Sequence, residues 1–276
     1  MTGVNSYLIA ELIGEGLNRR EARWLVEEFM TGADSDSIRS LRLAARRRLD
    51  GEPLQYVIGH WPFRGLDLDL DPRVLIPRPE TEELVSVALG ELRALGPEPS
   101  LVVDLGCGSG AIGLALLQES QRVGSSVALI AVDASREALN VAEMNAVKHG
   151  LGSVSFVQSS WFDALDESLR ASFDLIVANP PYVGVEEFET LDEVLKYEPR
   201  RALVAQSSRG VEGLADLETI ILQAPAWLAV GGSLVVEHGR DQRAAVLELA
   251  HEARLGQVSD LEDLSGHARI LVARRC

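Results

Sequence analysis

The sequence predicts an α/β protein: a doubly wound parallel sheet preceded by a small helical domain and a hairpin linker. Three observations carry this. From about residue 99, apolar strand segments alternate with helical segments. The strands read as nearly continuous apolar runs, as they must when helices cover both faces of a parallel sheet. A glycine-rich loop follows the first of these strands and opens a helix, the arrangement that places a ligand at the carboxyl edge of such a sheet.

The elements follow in order. Residues 1–52 read as a helical domain of three short helices. "SYLIAELIGEGL" sets Leu8 with Leu12 and Ile9 with Ile13 on one face, and "RREARWLVEEFM" does the same with Leu25 and Phe29. In "SDSIRSLRLAARRRL", Ser35 or Asp36 can cap the helix, and Arg46, Arg47 and Arg48 read as its solvated last turn. The bundle has a thin core and is expected to lean on a neighbour. Residues 53–78 read as a β-hairpin linker, because "GLDLDLD" alternates Leu66, Leu68 and Leu70 with acids. Residues 79–276 form the large domain, in which Pro77 and Pro79 precede a helix from about Glu80, with Thr81 and Glu82 in its first turn. The expected strands are "SLVVDLG", "ALIAVDA", "VSFVQSS", "FDLIVANP", "GSLVVEHG" and "ARILVAR".

Bulk properties exclude several classes. The chain has 276 residues and a formal charge of −16, which disfavours a polyanion partner and points to no direct nucleic-acid binding. No apolar run approaches the roughly 20 residues of a membrane span, and no signal peptide is evident, so the reading is a cytoplasmic protein without a membrane partner. Cys107 and Cys276 are too few for a disulfide framework and show no zinc spacing, so no metal is expected. Cys107 lies inside the glycine loop, where a small filler residue is favoured over a catalytic thiol.

"VVDLGCGSGAIG" carries the first site. Gly106, Gly108 and Gly110 let the backbone turn sharply and approach a ligand. From Gly108 to Gly113 the string also matches the dinucleotide pattern G-x-G-x-x-G. Asp133 ends the second strand, where an acid accepts from ribose hydroxyls in a nicotinamide or an S-adenosylmethionine site alike. Asp104 is expected to present a carboxylate to the ligand, repelling a pyrophosphate and favouring a sulfonium or ammonium. On that ground a nicotinamide-dependent oxidoreductase is disfavoured. "FDLIVANPPYV" carries the second site. Pro181 keeps Pro180 extended, so the Pro180 carbonyl has a fixed direction. Asn179 offers a second acceptor through its side-chain oxygen, and Tyr182 offers a flat face. Two convergent acceptors suit a planar NH₂ group. They strengthen as the nitrogen gains positive charge, so they favour transfer of a methyl group onto an amide or aromatic amine.

Nine segments together resemble one family. "PLQYVIGHWPFRGL", "VLIPRPETEELV", "VVDLGCGSGAIGLAL", "AVDASREALNVAEMNA", "SSWFDAL", "FDLIVANPPYV", "YEPRRALVA", "GGSLVVEHG" and "LSGHARI" occur in order over roughly residues 53–273. They are similar to the bacterial peptide chain release factor N5-glutamine methyltransferases, the HemK/PrmC family. "NPPY" alone is shared with DNA amino-methyltransferases; combined with "IPRPETEEL" it is far more specific. The resemblance implies a Rossmann-like class I methyltransferase domain behind the helical domain. It implies S-adenosyl-L-methionine, leaving as S-adenosyl-L-homocysteine, held by Gly106, Cys107, Gly108, Ser109, Gly110, Asp133 and Trp161, with Asn179 nearby; the charge argument adds Asp104 to this cofactor set. It implies a glutamine from the Gly-Gly-Gln motif of a release factor at Asn179, Pro180, Pro181 and Tyr182, with Asn179, Pro180 and Tyr182 catalytic. A monomer is expected. Trp161, with Phe162, fits adenine packing. "GLADLETII" and Ala268 depart from the family pattern outside the catalytic corner. The competing readings are an adenine amino-methyltransferase, a ribosomal-protein glutamine methyltransferase, and an S-adenosylmethionine-binding module without catalysis.

Overall fold

A computed structural model describes residues 3–30, 32, 34–96 and 98–276. Met1, Thr2, Thr31 and Ala33, which belong to the expected helical domain, lie outside the described residues, as does Pro97.

Helices α1 (Gly3–Gly14), α2 (Arg19–Phe29) and α3 (Ser35–Leu49) open the chain. Asn18 caps α2 by accepting from the Arg20 and Glu21 amides. The cap of α3 is Asp34, one residue before the expected position; its carboxylate accepts from the Asp36 and Ser37 amides. The arginines ending α3 are not simply solvated. Arg47 pairs with Glu52 and Arg48 with Glu21.

The segment expected to start a hairpin instead begins with a short helix, α4 (Leu54–Ile58). Its Leu54 and Val57 complete a core with Leu8, Leu12, Leu25, Leu41 and Ala45. The hairpin follows as β1 (His60–Phe63) and β2 (Leu66–Asp69), paired antiparallel. Alternation works as the sequence requires: Leu66, Leu68 and Leu70 are buried, and the acids between them face outward. Trp61 packs edge-on against Trp24 at 5.3 Å, so the helical bundle does lean on the hairpin.

The remaining elements are α5 (Thr81–Leu95), β3 (Ser100–Leu105), α6 (Ala111–Arg122), β4 (Val127–Asp133), α7 (Arg136–Lys148), β5 (Val154–Gln158), β6 (Phe173–Ala178), α8 (Val185–Thr190), α9 (Ala215–Trp227), β7 (Leu228–Glu237), α10 (Arg243–Glu252), β8 (Gly256–Glu262) and β9 (Ala268–Arg274). The sheet runs in the order β5-β4-β3-β6-β7-β9-β8. Helices α5, α6 and α7 cover one face and α9 and α10 the other. Two expectations need correction. The last strand, "ARILVAR", is antiparallel to β7 rather than parallel. It also pairs with a strand, β8, that the pattern did not reveal, because "GQVSDLE" is polar and largely exposed at the sheet edge.

The chain moves outward from β3 to β4 and β5, then returns to the other side of β3 with β6. That reversal leaves a crevice at the carboxyl ends of β3, β4 and β6, where ligands bind in open sheets.

Candidate active site

The crevice holds two adjoining cavities. The larger, about 220 Å³, is lined by Gly106, Gly108, Asp133, Trp161, Asn179 and Pro181 among others. The smaller, about 50 Å³, is lined by Asn179, Pro180, Pro181, Tyr182, Leu75 and Arg78. Asn179 and Pro181 belong to both, so the two sequence motifs meet at one point. The size of the second cavity limits it to the end of a single side chain.

The first cavity is built from backbone. The Gly106 and Cys107 amides bond to the Val132 carbonyl, tying the loop to the end of β4. Gly106 has φ +74, and a Cβ there would meet the Trp161 ring at 3.3 Å, so glycine avoids both backbone strain and a tight contact where the indole lies across the loop. Trp161 itself is left-handed, with φ +48. Such a conformation is costly for a bulky residue, so the surrounding packing must hold it in place. Its Nε1 donates to Asp216 at 3.1 Å. Asp216 comes from "GLADLETII", so this departure from the family pattern reaches the cavity wall.

Asp133 accepts from the Gly108 amide (2.9 Å) and the Ser135 amide (2.8 Å). Burial raises its pKa; the two amides and the nearby Arg201 counteract. Arg201 also bonds Ser135 Oγ, and it lines the cavity with Arg73. The sequence reading missed both arginines. "YEPRRALVA" pointed to the first of them only as a matching segment.

Four expected cofactor residues do not line the cavity. Asp104 is fully buried beneath the loop, where its Oδ2 accepts from the Gly113 amide at 2.9 Å. Burial pushes its pKa up to about 7. It anchors the start of α6 rather than facing a ligand, so the charge argument against a pyrophosphate no longer rests on it. Cys107 and Ser109 are buried, and Gly110, at φ +82, begins α6. Burial, with Asp104 and Asp133 nearby, drives the Cys107 thiol well above its ordinary range, which removes it as a nucleophile. Phe162 is also corrected: it is buried and stacks on Trp227 at 5.5 Å in the core, so Trp161 alone faces the cavity.

The second cavity is built from side chains. Asn179 Nδ2 donates to Thr81 Oγ1 at 3.1 Å, Thr81 Oγ1 donates to Glu237 Oε2 at 2.8 Å, and the Tyr182 hydroxyl donates to Glu237 Oε1 at 3.1 Å. Thr81 lies on the buried face of α5, one turn before Val85, so its hydroxyl points inward. The β6–β7 register, Val177 with Val235 and Ala178 with Val236, brings Glu237 to the edge where Asn179 leaves the sheet. Burial raises the Glu237 pKa, against the pull of Thr81, Tyr182 and Arg269. Among the described residues nothing donates to the Asn179 side-chain oxygen or the Pro180 carbonyl. Both acceptors are therefore unengaged by the chain's own described groups.

The corner is clamped from behind. Gln242 Nε2 donates to the Tyr182 carbonyl (3.2 Å) and the Glu212 carbonyl (2.8 Å). A Cβ on Gly213, at φ +68, would fall 2.1 Å from the Tyr182 carbonyl oxygen, so this contact demands glycine. In front, buried Glu198 accepts from the Ile76 amide (2.9 Å) and from Arg78 (2.5 Å), fastening "VLIPRPE" to "YEPRR" over the cavity.

A cleft of this kind at the switch point of a β5-β4-β3-β6-β7-β9-β8 sheet defines a class I methyltransferase fold. Residues 100–266 match the family model described as a methyltransferase domain. The fold is also that of a 16S rRNA methyltransferase from T. thermophilus solved with AdoMet and guanosine (TM-score 0.56, 18% identity, 79% of this chain and 50% of that one). A methyltransferase from Pyrococcus furiosus is similar at TM-score 0.53 and 14% identity, over 87% of this chain and 98% of that one. Sequence relatives narrow the class. The chain is 38% identical to the release factor glutamine methyltransferase of Coxiella burnetii over 88% of this chain and 82% of that one. It is 39% identical to that of Bordetella pertussis over 95% and 97%. The chain belongs to the release factor glutamine methyltransferase family.

No helix among the described residues is long and apolar enough to cross a membrane. Among the same residues, no cluster of His, Cys, Asp and Glu could hold a metal ion.

Proposed function

We propose that this chain transfers the methyl group of S-adenosylmethionine to the side-chain amide nitrogen of the glutamine in the Gly-Gly-Gln motif of peptide chain release factors. The observation that carries the reading is the pair of unengaged acceptors, Asn179 Oδ1 and the Pro180 carbonyl, at the junction of a cofactor-sized cleft and a side-chain-sized cavity.

The residues present fit the cofactor. Gly106 leaves room where the Trp161 indole spans the loop, and Asp133 brings a carboxylate to the wall for the ribose hydroxyls. Asp104, Cys107, Ser109 and Gly110 act behind them by shaping the loop. Bound S-adenosylmethionine supplies an electrophilic methyl group and leaves as S-adenosylhomocysteine.

The chain's own work is to make the amide nitrogen a usable nucleophile. Asn179 Oδ1 and the Pro180 carbonyl accept its two N–H groups and favour positive charge on it as the new N–C bond forms. Tyr182 and Pro181 hold the carboxamide plane. The methylated, positively charged amide then gives one N–H proton to solvent water, and no strong base is needed at the nitrogen. The N-terminal helices seat the body of the protein substrate, since the small cavity takes only one side chain. The enzyme acts in the cytoplasm as a monomer, without direct contact with nucleic acid.

The test is direct. Purified chain, labelled S-adenosylmethionine and separate samples of release factor, ribosomal proteins and DNA are incubated, and label is expected on the release-factor glutamine. Label on DNA or ribosomal protein instead would overturn the reading.

A further inference from the structure

We infer that Thr81 and Glu237 are positioning residues, which fix the Asn179 amide so that its oxygen rather than its nitrogen faces the methyl-accepting nitrogen. The inference rests on the proposed function for the identity of that nitrogen. The amide's orientation itself follows from counting protons on this chain.

An ionised carboxylate can only accept, and each oxygen of Glu237 faces one hydroxyl: Thr81 at 2.8 Å and Tyr182 at 3.1 Å. Thr81 has one proton, which goes to Glu237. Its oxygen can then only accept from Asn179, and Nδ2 is the donor, at 3.1 Å. A planar carboxamide with its nitrogen so committed turns its oxygen the other way, into the cavity. Were the amide reversed, an NH₂ group would meet the substrate's NH₂ group. A hydrogen bond would be lost and the building charge repelled.

The chain of bonds sits where it can hold this choice. Thr81 is 3% exposed and Glu237 1%, so water does not compete. Three elements contribute: Thr81 from α5, Asn179 from the end of β6 and Glu237 from β7. The ionisable groups facing Glu237 are the Tyr182 hydroxyl, Arg269 from β9 and Glu80 before α5. Arg269 favours the charged form and Glu80 opposes it. A protonated Glu237 could donate to Thr81, whose own proton would then be free for Asn179 Oδ1. Glu237→Gln imitates that state, because its amide can donate.

The experiment compares Thr81→Val, Thr81→Ser and Glu237→Gln with the unaltered chain. The readouts are S-adenosylmethionine affinity, kcat and KM on release factor, and the Asn179 side-chain ¹⁵N–¹H₂ signal. Thr81→Val is expected to lower kcat about 10- to 100-fold, the effect of one strong hydrogen bond, while leaving cofactor affinity and KM within about threefold. Thr81→Ser keeps the hydroxyl and is expected to restore kcat to within about threefold. Glu237→Gln is expected to resemble Thr81→Val and to lose the acid limb that Glu237 gives the kcat–pH profile. The Asn179 NH₂ protons are expected to exchange more slowly in the unaltered chain than in Thr81→Val, where their signal should also shift. Should Thr81→Val fail to fold, Glu237→Gln, with unchanged shape, carries the test alone. A folded Thr81→Val or Glu237→Gln protein with normal kcat and an unmoved Asn179 signal overturns the inference. An unaltered chain that methylates no release factor overturns the proposed function instead, and the exchange measurement still judges the amide's orientation.

Discussion

The two halves of the cleft are made in different ways. The cofactor half is local: the Gly108 amide reaches Asp133 across 25 positions, and Ser135 reaches it across two. Its binding groups are backbone amides and glycines set by one loop and one strand end. The acceptor half is assembled from afar. Thr81 lies 98 positions from Asn179 and 156 from Glu237. Backbone geometry fixed by a contiguous motif tolerates change in its surroundings. A relay of side chains does not, because each member relies on the proton of the next. The acceptor half should therefore lose rate when altered, and the cofactor half should lose affinity.

The largest effect expected is on the acceptor side. Asn179→Ala removes one of two acceptors at a strand end and should lower kcat about 10²–10³-fold, by analogy with loss of a preorganised oxyanion-hole donor. Substrate KM should change much less. Steady-state kinetics on release factor, with folding checked by circular dichroism, decides it. An equal loss in KM with kcat intact would break the comparison. Asn179→Asp keeps an acceptor and should retain part of the activity.

On the cofactor side, Asp133→Ala should weaken S-adenosylmethionine binding by about 1.5–3 kcal/mol, the range for hydrogen bonds to a charged group. Calorimetry measures it. The same carboxylate gives a pH dependence. Only its ionised form accepts from both hydroxyls, and burial raises its pKa. Affinity should therefore fall as pH drops through that raised value, and the Asp133→Ala variant should show no such fall.

How much of each half could be read in the sequence follows the same division. The glycine loop, Asp133, Trp161 and the Asn-Pro-Pro-Tyr corner were visible because each is a short string with its own geometry. Thr81 was visible only as a first-turn residue, since nothing local says that its hydroxyl meets Asn179. Glu237 left a fainter mark, a carboxylate closing the apolar run "GSLVVEHG". A charge that ends fully buried needs partners, and that need was its signal. Asp104 misled because proximity in sequence to the loop does not give direction: successive strand residues face opposite sides, and this one faces α6. The missed strand β8 is polar, and the antiparallel turn of β9 is a tertiary fact without a local pattern.

The helical region offers a contrast outside the cleft. Among the described residues, Tyr7 and Leu43 are its most exposed large apolar side chains, at 70% and 63%. If these helices seat the substrate body, the double variant Tyr7→Ala/Leu43→Ala should raise KM for intact release factor about fivefold or more, as for loss of about 1 kcal/mol at an interface. KM for a short Gly-Gly-Gln peptide should not move. Equal effects on both substrates would assign the helices to stability.

Tyr182→Phe sharpens the picture of the acceptor half. In the sequence, Tyr182 offers only its flat face. In the structure its hydroxyl donates to buried Glu237. Its removal leaves one carboxylate oxygen without its donor, so kcat should fall about 5- to 10-fold, the lower range for an unsatisfied buried polar group. The sign of the pH effect also follows. The Tyr182 bond lowers the Glu237 pKa against burial. Without it that pKa rises further, and the acid limb of the kcat–pH profile should move to higher pH. A profile that stays in place would detach Tyr182 from the relay.

The smallest effect belongs to Cys107, at the centre of the cofactor half. The residue is 6% exposed, packs with Ala131, Leu139 and Ala142, and does not line the cavity. The loop is held through backbone: the Cys107 amide bonds to the Val132 carbonyl, and the Cys107 carbonyl accepts from Gly110. Neither bond depends on the side chain. Cys107→Ser keeps the size and places a hydroxyl where the neighbours are apolar, so thermal stability should drop by roughly 1 kcal/mol. Cofactor affinity and kcat should stay within about twofold, because the methyl transfer asks nothing of sulfur and the backbone geometry survives. Were kcat to fall a hundredfold in a folded, cofactor-binding variant, the side chain would hold a role in the chemistry, and the cofactor half could no longer be described as built from backbone.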